Sequence, residues 1–179
     1  MHIYEDNRYG MDSSLFWGYN SFRGKKMFNV VLFQPEIPQN TGNIARLCAA
    51  TGCALHLIGP LGFSLQDRYL KRAGLDYWSL VEISRYDSLE EFFERWNDAR
   101  FFFVTTAGSQ YYTEFAYRPG DFLVFGRESG GLPLELLDMN RDSCIRIPMV
   151  EGIRCLNLSN SVAIVVYEGL RKQMFRDMS

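Results

Sequence analysis

The chain is poor in the residues that build metal and disulfide sites. It has 179 residues with only two histidines, His2 and His56, and four cysteines, Cys48, Cys53, Cys144 and Cys155. No two cysteines stand as Cys-x-x-Cys, which argues against a zinc site, and reduced thiols are expected. No apolar run is long enough to cross a bilayer. The N-terminus lacks the basic-then-apolar order of a secretory signal, and the expected compartment is the cytoplasm. No large excess of positive charge is present: the formal net charge of −2 argues against a protein that coats nucleic acid nonspecifically, and any nucleic-acid site must be a local patch of Arg and Lys. The nucleotide fingerprints G-x-G-x-x-G and G-x-x-x-x-G-K-[ST] are absent, as is the G-x-S-x-G elbow of serine hydrolases. These absences count against dehydrogenases, phosphate-loop NTPases and α/β-hydrolases.

What is present is a core. Hydrophobic residues make up 47% of the chain and aromatics 15%, enough for one domain. Residues 1–26 carry no clear period, are broken by Asn7, Gly10, Asn20 and Gly24, and end in a basic cluster before Met27. This extension reads equally as an ordered arm, a flexible tail or a translated leader upstream of a start at Met27. The domain proper is assigned to residues 27–179. From Met27 apolar runs alternate with helical patterns. Strands are expected at Phe28 to Phe33, Ala54 to Ile58, Val81 to Ser84, Phe101 to Thr105 and Phe122 to Phe125. Helices are expected from about Asn43 to Ala50, stopping at Gly52, and after Ser88, where Glu91 completes a capping box and Leu89, Phe92, Phe93 and Trp96 form the buried face. A further short helix is expected around the basic residues Arg68, Lys71 and Arg72, and a last one from about Asn160 to Met174. The pattern predicts an α/β fold, a mostly parallel sheet with helices on both faces.

In such sheets ligands sit beyond the carboxyl ends of the strands. Three stretches fall there. Asn40-Thr41-Gly42-Asn43-Ile44-Ala45-Arg46 enters the first helix, whose free amides favour an anion, with Arg46 able to add a two-pronged contact; a plain turn with a surface arginine has the same signature. Phe125-Gly126-Arg127-Glu128-Ser129-Gly130-Gly131 follows an apolar strand, and its glycines permit a close backbone approach. Ile145 to Leu170 runs from a β-prone segment through a loop into the last helix, with Asn157 or Ser159 as N-cap, and fits a binding loop as well as an ordinary connection.

Taken in order, NTGNIAR, FGRESGG and IPM followed by RCLNLSNSVA resemble the three signature motifs of the SPOUT RNA methyltransferases. Within that superfamily, FQPEIPQNTGNIARLCAATG and LHLIGPLGF resemble the small TrmL/YibK-type enzymes, which methylate the ribose 2′-hydroxyl of the wobble nucleotide, cytidine or modified uridine, in certain tRNAs. The resemblance runs from about Met27 to the C-terminus.

The resemblance implies a C-terminal deep trefoil knot, which nothing in the periodicity indicates. It also implies S-adenosyl-L-methionine as cofactor, held by Val104, Gly126, Ile147, Cys155, Leu156 and Asn157, with Cys155 replacing the usual serine. Arg46 is the implied catalytic residue. A guanidinium with a pKa above about 12 is a poor proton acceptor, so clamping a phosphate or a developing oxyanion is the easier role. Asn40, Arg46 and Arg154 are the implied RNA contacts, with Arg127, Arg171 and Lys172 as further phosphate candidates; Glu128 either offsets the sulfonium or braces its glycine loop. The expected partners are a tRNA anticodon loop and a second copy of the chain, whose dimer face includes the helical stripe Val162, Val165, Val166 and Leu170 that also serves as core. No metal and no membrane are implied. The competing readings are methylation of another RNA site and a catalytically silent RNA-binding protein of the same fold.

Overall fold

The computed structural model describes residues 26–64, 77–176 and 178. The extension up to residue 25 and the basic segment with Arg68, Lys71 and Arg72 lie outside the described residues. Seven strands form one sheet: β1 (Phe28–Phe33), β2 (Ala54–Ile58), β3 (Ile83–Tyr86), β4 (Phe101–Val104), β5 (Gln110–Tyr111), β6 (Asp121–Phe125) and β7 (Cys144–Arg146). Their order is β3-β2-β1-β6-β4-β7-β5, and every pairing is parallel. Every residue of β1, β2 and β6 is buried, which is why these strands read as unbroken apolar runs and not as alternations.

The period of two along β1 divides the core. Phe28, Val30 and Leu32 face one cluster, with Ile44, Ala45 and Cys48 of helix α1 (Pro38–Thr51) and Val162, Val165, Val166 and Leu170 of helix α4 (Leu158–Lys172). Val31 and Phe33 face the other, with Phe92 of helix α2 (Leu89–Arg95) and, at its margin, Leu136 and Leu137 of helix α3 (Leu134–Met139). Helices therefore cover both faces, as expected. The expected capping box is half formed: Ser88 Oγ accepts from the Glu91 amide at 3.3 Å, but Glu91 Oε2 accepts from the amide of Asp87, one residue before the N-cap, at 2.7 Å.

Several boundaries differ from those expected. Helix α1 starts at Pro38, not near Asn43; proline suits a first helical turn, and Asn40, Thr41 and Gly42 are buried inside the helix despite their weak propensity. At its other end Gly52 takes the left-handed conformation, φ 66°, and donates its amide to the Cys48 carbonyl. Strand β3 is shifted two residues along from the expected run because Ile83 must align with Leu55 of β2. The stripe Val162, Val165, Val166 and Leu170 is fully buried against this chain's own sheet. Its reading as a dimer face is corrected accordingly: it is core.

The slot occupied by β7 matters for the site. The chain lays down β4, continues to β5 at the sheet edge, returns to β6 on the far side of β4, and then inserts β7 between β4 and β5. The loop from β4 to β5 thus lies over the incoming strand. A Cβ on Gly108 would stand 2.9 Å from the Ile145 carbonyl carbon, so only glycine lets that loop cross so close to β7.

Candidate active site

Residues at or beyond the carboxyl ends of β1, β4, β6 and β7 surround a cleft of about 560 Å³. This is the size of a small-molecule site, at the position where parallel sheets place ligands. Val104, Gly126, Ile147, Cys155, Leu156 and Asn157 all line it, as do Asn40 and Arg154. The three motifs, distant in sequence, therefore meet in one place.

They meet through a chain of hydrogen bonds. Glu128 Oε2 accepts from the Glu36 amide at 2.8 Å, and Oε1 accepts from the Ile37 amide at 3.2 Å and from Asn40 Nδ2 at 2.9 Å. Asn40 Oδ1 in turn accepts from Asn157 Nδ2 at 3.0 Å. Because a carboxylate only accepts, the orientation of both amides follows. Asn157 Oδ1 then caps α4, accepting from the amides of Ser159 at 2.9 Å and Asn160 at 3.4 Å. In the opposite direction Glu36 accepts from the Ser129 amide and hydroxyl at 2.8 and 2.7 Å, and these bonds hold its carboxyl below the usual carboxylate range.

This corrects the expectation for the first motif. The anion at the start of α1 is the chain's own Glu128, and Asn40 is buried and bonded on both sides, so the geometry makes it a brace. Glu128 is likewise a brace. The glycines of the second motif also act differently from expectation: a Cβ on Gly126 would lie 2.1 Å from the Gly131 carbonyl carbon, and Arg127 and Gly131 exchange two backbone bonds of 3.1 and 2.9 Å. The close approach is of the loop to itself.

Free donors lie in the third motif. The backbone amides of Arg154, Cys155 and Leu156 have no hydrogen-bond partner among the described residues, although these residues line the cleft. Cys155 is exposed, whereas Cys48, Cys53 and Cys144 are buried. Thr105, Thr106 and Ala107 after β4, and Leu134 and Leu137 on α3, complete the lining and were not anticipated. Helix α3 has only six residues, too few for a helical period to be legible.

Two groups of basic residues part company. Arg127 and Arg154 are exposed on the cleft. Arg171 is paired with Glu168 at 2.8 and 2.9 Å, and Lys172 Nζ donates to the carbonyls of Thr113 and Phe115, so both are committed within the chain. Arg46 does not line the cleft. It is exposed on α1, six residues after Asn40 and about 9 Å further along the helix axis, where its side chain meets Tyr77.

The model of the SpoU rRNA Methylase family matches residues 27–167. The chain belongs to this family. A relative from Bacillus subtilis (strain 168) is 58% identical over 153 residues, spanning 84% of this chain and 96% of the relative. The Escherichia coli (strain K12) relative, named tRNA (cytidine(34)-2′-O)-methyltransferase, is 48% identical over 147 residues, 82% of this chain and 94% of its own. A solved structure concerned with the 2-OH methylation of C/U34 on tRNA superposes with a TM-score of 0.80 at 47% identity, covering 86% of this chain and 100% of that one. An AdoMet-bound rRNA methyltransferase from Sinorhizobium meliloti superposes with a TM-score of 0.71 at 26% identity, covering 83% of this chain and 57% of its own. Family members thus share the parallel sheet that carries this cleft.

Proposed function

We propose that this protein transfers a methyl group from S-adenosyl-L-methionine to the ribose 2′-hydroxyl of the wobble nucleotide, cytidine or modified uridine, of tRNA. The observation that carries the proposal is the convergence of all three motifs on one cleft in a chain that matches, over 82% of its own length and 94% of the other's, a relative named for this reaction. The cleft fits the cofactor. The unpartnered amides of Arg154, Cys155 and Leu156 offer hydrogen bonds to its polar groups, and Val104, Ile147, Leu134 and Leu137 offer an apolar wall. When bound, the cofactor supplies an electrophilic methyl group on a positively charged sulfur, so no metal is needed.

The remaining tasks fall to the chain. The Glu128–Asn40–Asn157 connection keeps the three motif segments in register, so that the cleft is preformed. Arg154 and Arg127 at its rim suit the phosphates of an RNA backbone. Arg46, further along α1, clamps a phosphate or the ribose oxygen as it loses its proton; its position off the cleft suits a substrate that spans both. We infer a deep trefoil knot from the insertion of β7 under the β4–β5 loop, supported by Gly108 lying against the β7 backbone. A second copy of the chain would enlarge an RNA surface that this small domain cannot provide alone, and the domain is taken as residues 27–179, in the cytoplasm beside its tRNA. The test is mass spectrometry of nucleosides, and of nuclease fragments that carry position 34, from tRNA incubated with purified protein and S-adenosyl-L-methionine. A 2′-O-methylated residue at position 34 is expected, and its absence across all tRNAs, including natively modified ones, overturns the proposal.

A further inference from the structure

Arg46 and Tyr77 form a contact that the reaction as described does not use. The guanidinium carbon of Arg46 lies 4.7 Å from the centre of the Tyr77 ring, and Arg46 Nη2 donates to the Tyr77 hydroxyl at 3.2 Å. Arg46 is exposed, and its partners among the described residues include no carboxylate. Tyr77 is held from behind. The Leu80 amide donates to its carbonyl at 2.9 Å, and the neighbouring Trp78 packs against the core cluster under α1.

We propose that Tyr77 is the positioning residue for Arg46: it holds the guanidinium in one place and leaves its other N–H donors for an incoming ribose-phosphate. The inference rests on the proposed role of Arg46 as substrate clamp. An exposed arginine on a helix samples many rotamers, and a clamp that must find its place after the RNA arrives is a weak one. The contact with Tyr77 uses the ring and one N–H, while a phosphate is bound through the remaining N–H donors, so the two contacts do not compete. Of the five N–H donors of an arginine, one bonds to the Tyr77 hydroxyl, and the others have no hydrogen-bond partner among the described residues. A carboxylate partner would have fixed the side chain equally well, but would have occupied the same donors and offset the same charge. An aromatic ring carrying one hydroxyl orients the group and leaves it free for an anion.

The test uses the full chain and single-turnover methylation of a tRNA substrate, with cofactor binding measured by calorimetry and the thermal midpoint measured in parallel. Tyr77→Leu is expected to lower the methylation rate roughly five- to tenfold, as loss of orientation of a charged group does, with cofactor affinity and thermal midpoint unchanged. Tyr77→Phe, which keeps the ring, is expected to recover most of the rate. Tyr77→Gln carries the same expectation as Tyr77→Leu and keeps the test open if the leucine variant does not fold. In an Arg46→Ala background Tyr77→Leu is expected to have no further effect. Independent, additive losses would overturn the inference, as would a normal rate in both Tyr77→Leu and Tyr77→Gln while Arg46→Ala is impaired. A normal rate in Arg46→Ala itself would instead remove the proposed role of Arg46, so the two failures are distinct.

Discussion

Asn40 and Asn157, 117 residues apart, are joined by a single hydrogen bond of 3.0 Å, and that bond ties the first helix of the domain to the start of the last. Its geometry depends on Glu128, whose carboxylate accepts from the other end of Asn40 and so turns the Asn40 carbonyl oxygen toward Asn157. One buried amide thereby coordinates all three motif segments around the cleft.

Replacing Asn40 with Asp tests this coordination directly. The new carboxylate would face Glu128 and lose a donor to it, so Asn40→Asp is expected to be more damaging than Asn40→Ala, which only leaves partners unsatisfied at about 1–3 kcal/mol. Calorimetric cofactor titration and chemical denaturation of both variants provide the measurement. Equal cofactor affinity in wild type and Asn40→Asp would show that the cleft does not depend on this link.

At Gly126 the expected effect is steric. A Cβ would lie 2.1 Å from the Gly131 carbonyl carbon, so Gly126→Ala must separate two backbone segments that are doubly hydrogen-bonded. A loss of about 1–3 kcal/mol of stability is expected, as for other overpacked sites, together with weakened cofactor binding. A urea midpoint indistinguishable from wild type would contradict this.

Cys155 is the exposed thiol among four cysteines, and burial pushes the thiols of Cys48, Cys53 and Cys144 up. In native protein iodoacetamide is expected to modify Cys155 well before the other three, and S-adenosyl-L-methionine is expected to slow that reaction. Cys155→Ser should bind the cofactor with affinity within about threefold of wild type if the contact is made by the main-chain amide. Peptide mass spectrometry with and without cofactor follows the first effect. Labelling at Cys155 that is indifferent to saturating cofactor would place the binding site elsewhere.

Arg46→Ala is expected to leave cofactor affinity nearly intact, because Arg46 lies off the cleft, while lowering single-turnover methylation on the order of a hundredfold. Arg46→Lys keeps the charge without the planar fork. A partial rate in Arg46→Lys supports a loose electrostatic clamp, and complete loss supports two-pronged positioning.

A pH dependence should arise from His56, which lies buried between Tyr86 and Asn29 at 3.1 and 3.2 Å. Burial, assisted by the charge of Arg95, lowers its pKa from 6.5 to about 4. The unfolded chain therefore binds a proton that the folded chain refuses between those values. The contribution is fully present above pH 6.5 and is lost as pH falls toward 4, about 3 kcal/mol in all. Denaturation midpoints measured from pH 7 to pH 4.5 should fall more steeply for wild type than for His56→Gln; parallel profiles would assign the slope to other groups.

The strands were legible because β1, β2 and β6 are buried on both faces and must therefore be apolar without interruption. Gly52 and the Ser88–Glu91 pair marked helix ends because capping is a local affair of one turn. The motif segments could be assigned to a ligand site since parallel sheets expose the carboxyl ends of their strands.

Other features depended on partners far away in sequence. The start of α1 at Pro38 runs through Asn40, Thr41 and Gly42, whose propensities oppose a helix, and the Glu128 carboxylate that accepts from the Glu36 and Ile37 amides at its entrance comes from more than ninety residues on. The slot of β7 between β4 and β5 is set by a return of the chain that no local period records. Arg46 was singled out by its motif, but only the folded chain places it off the cleft and against Tyr77, 31 residues earlier in sequence than that ring. Composition, periodicity and capping determined which segments are strands, helices and ligand loops. Tertiary structure decided which donors are already satisfied and which remain free for a ligand, because a hydrogen bond between distant residues leaves no trace in the sequence near either of them.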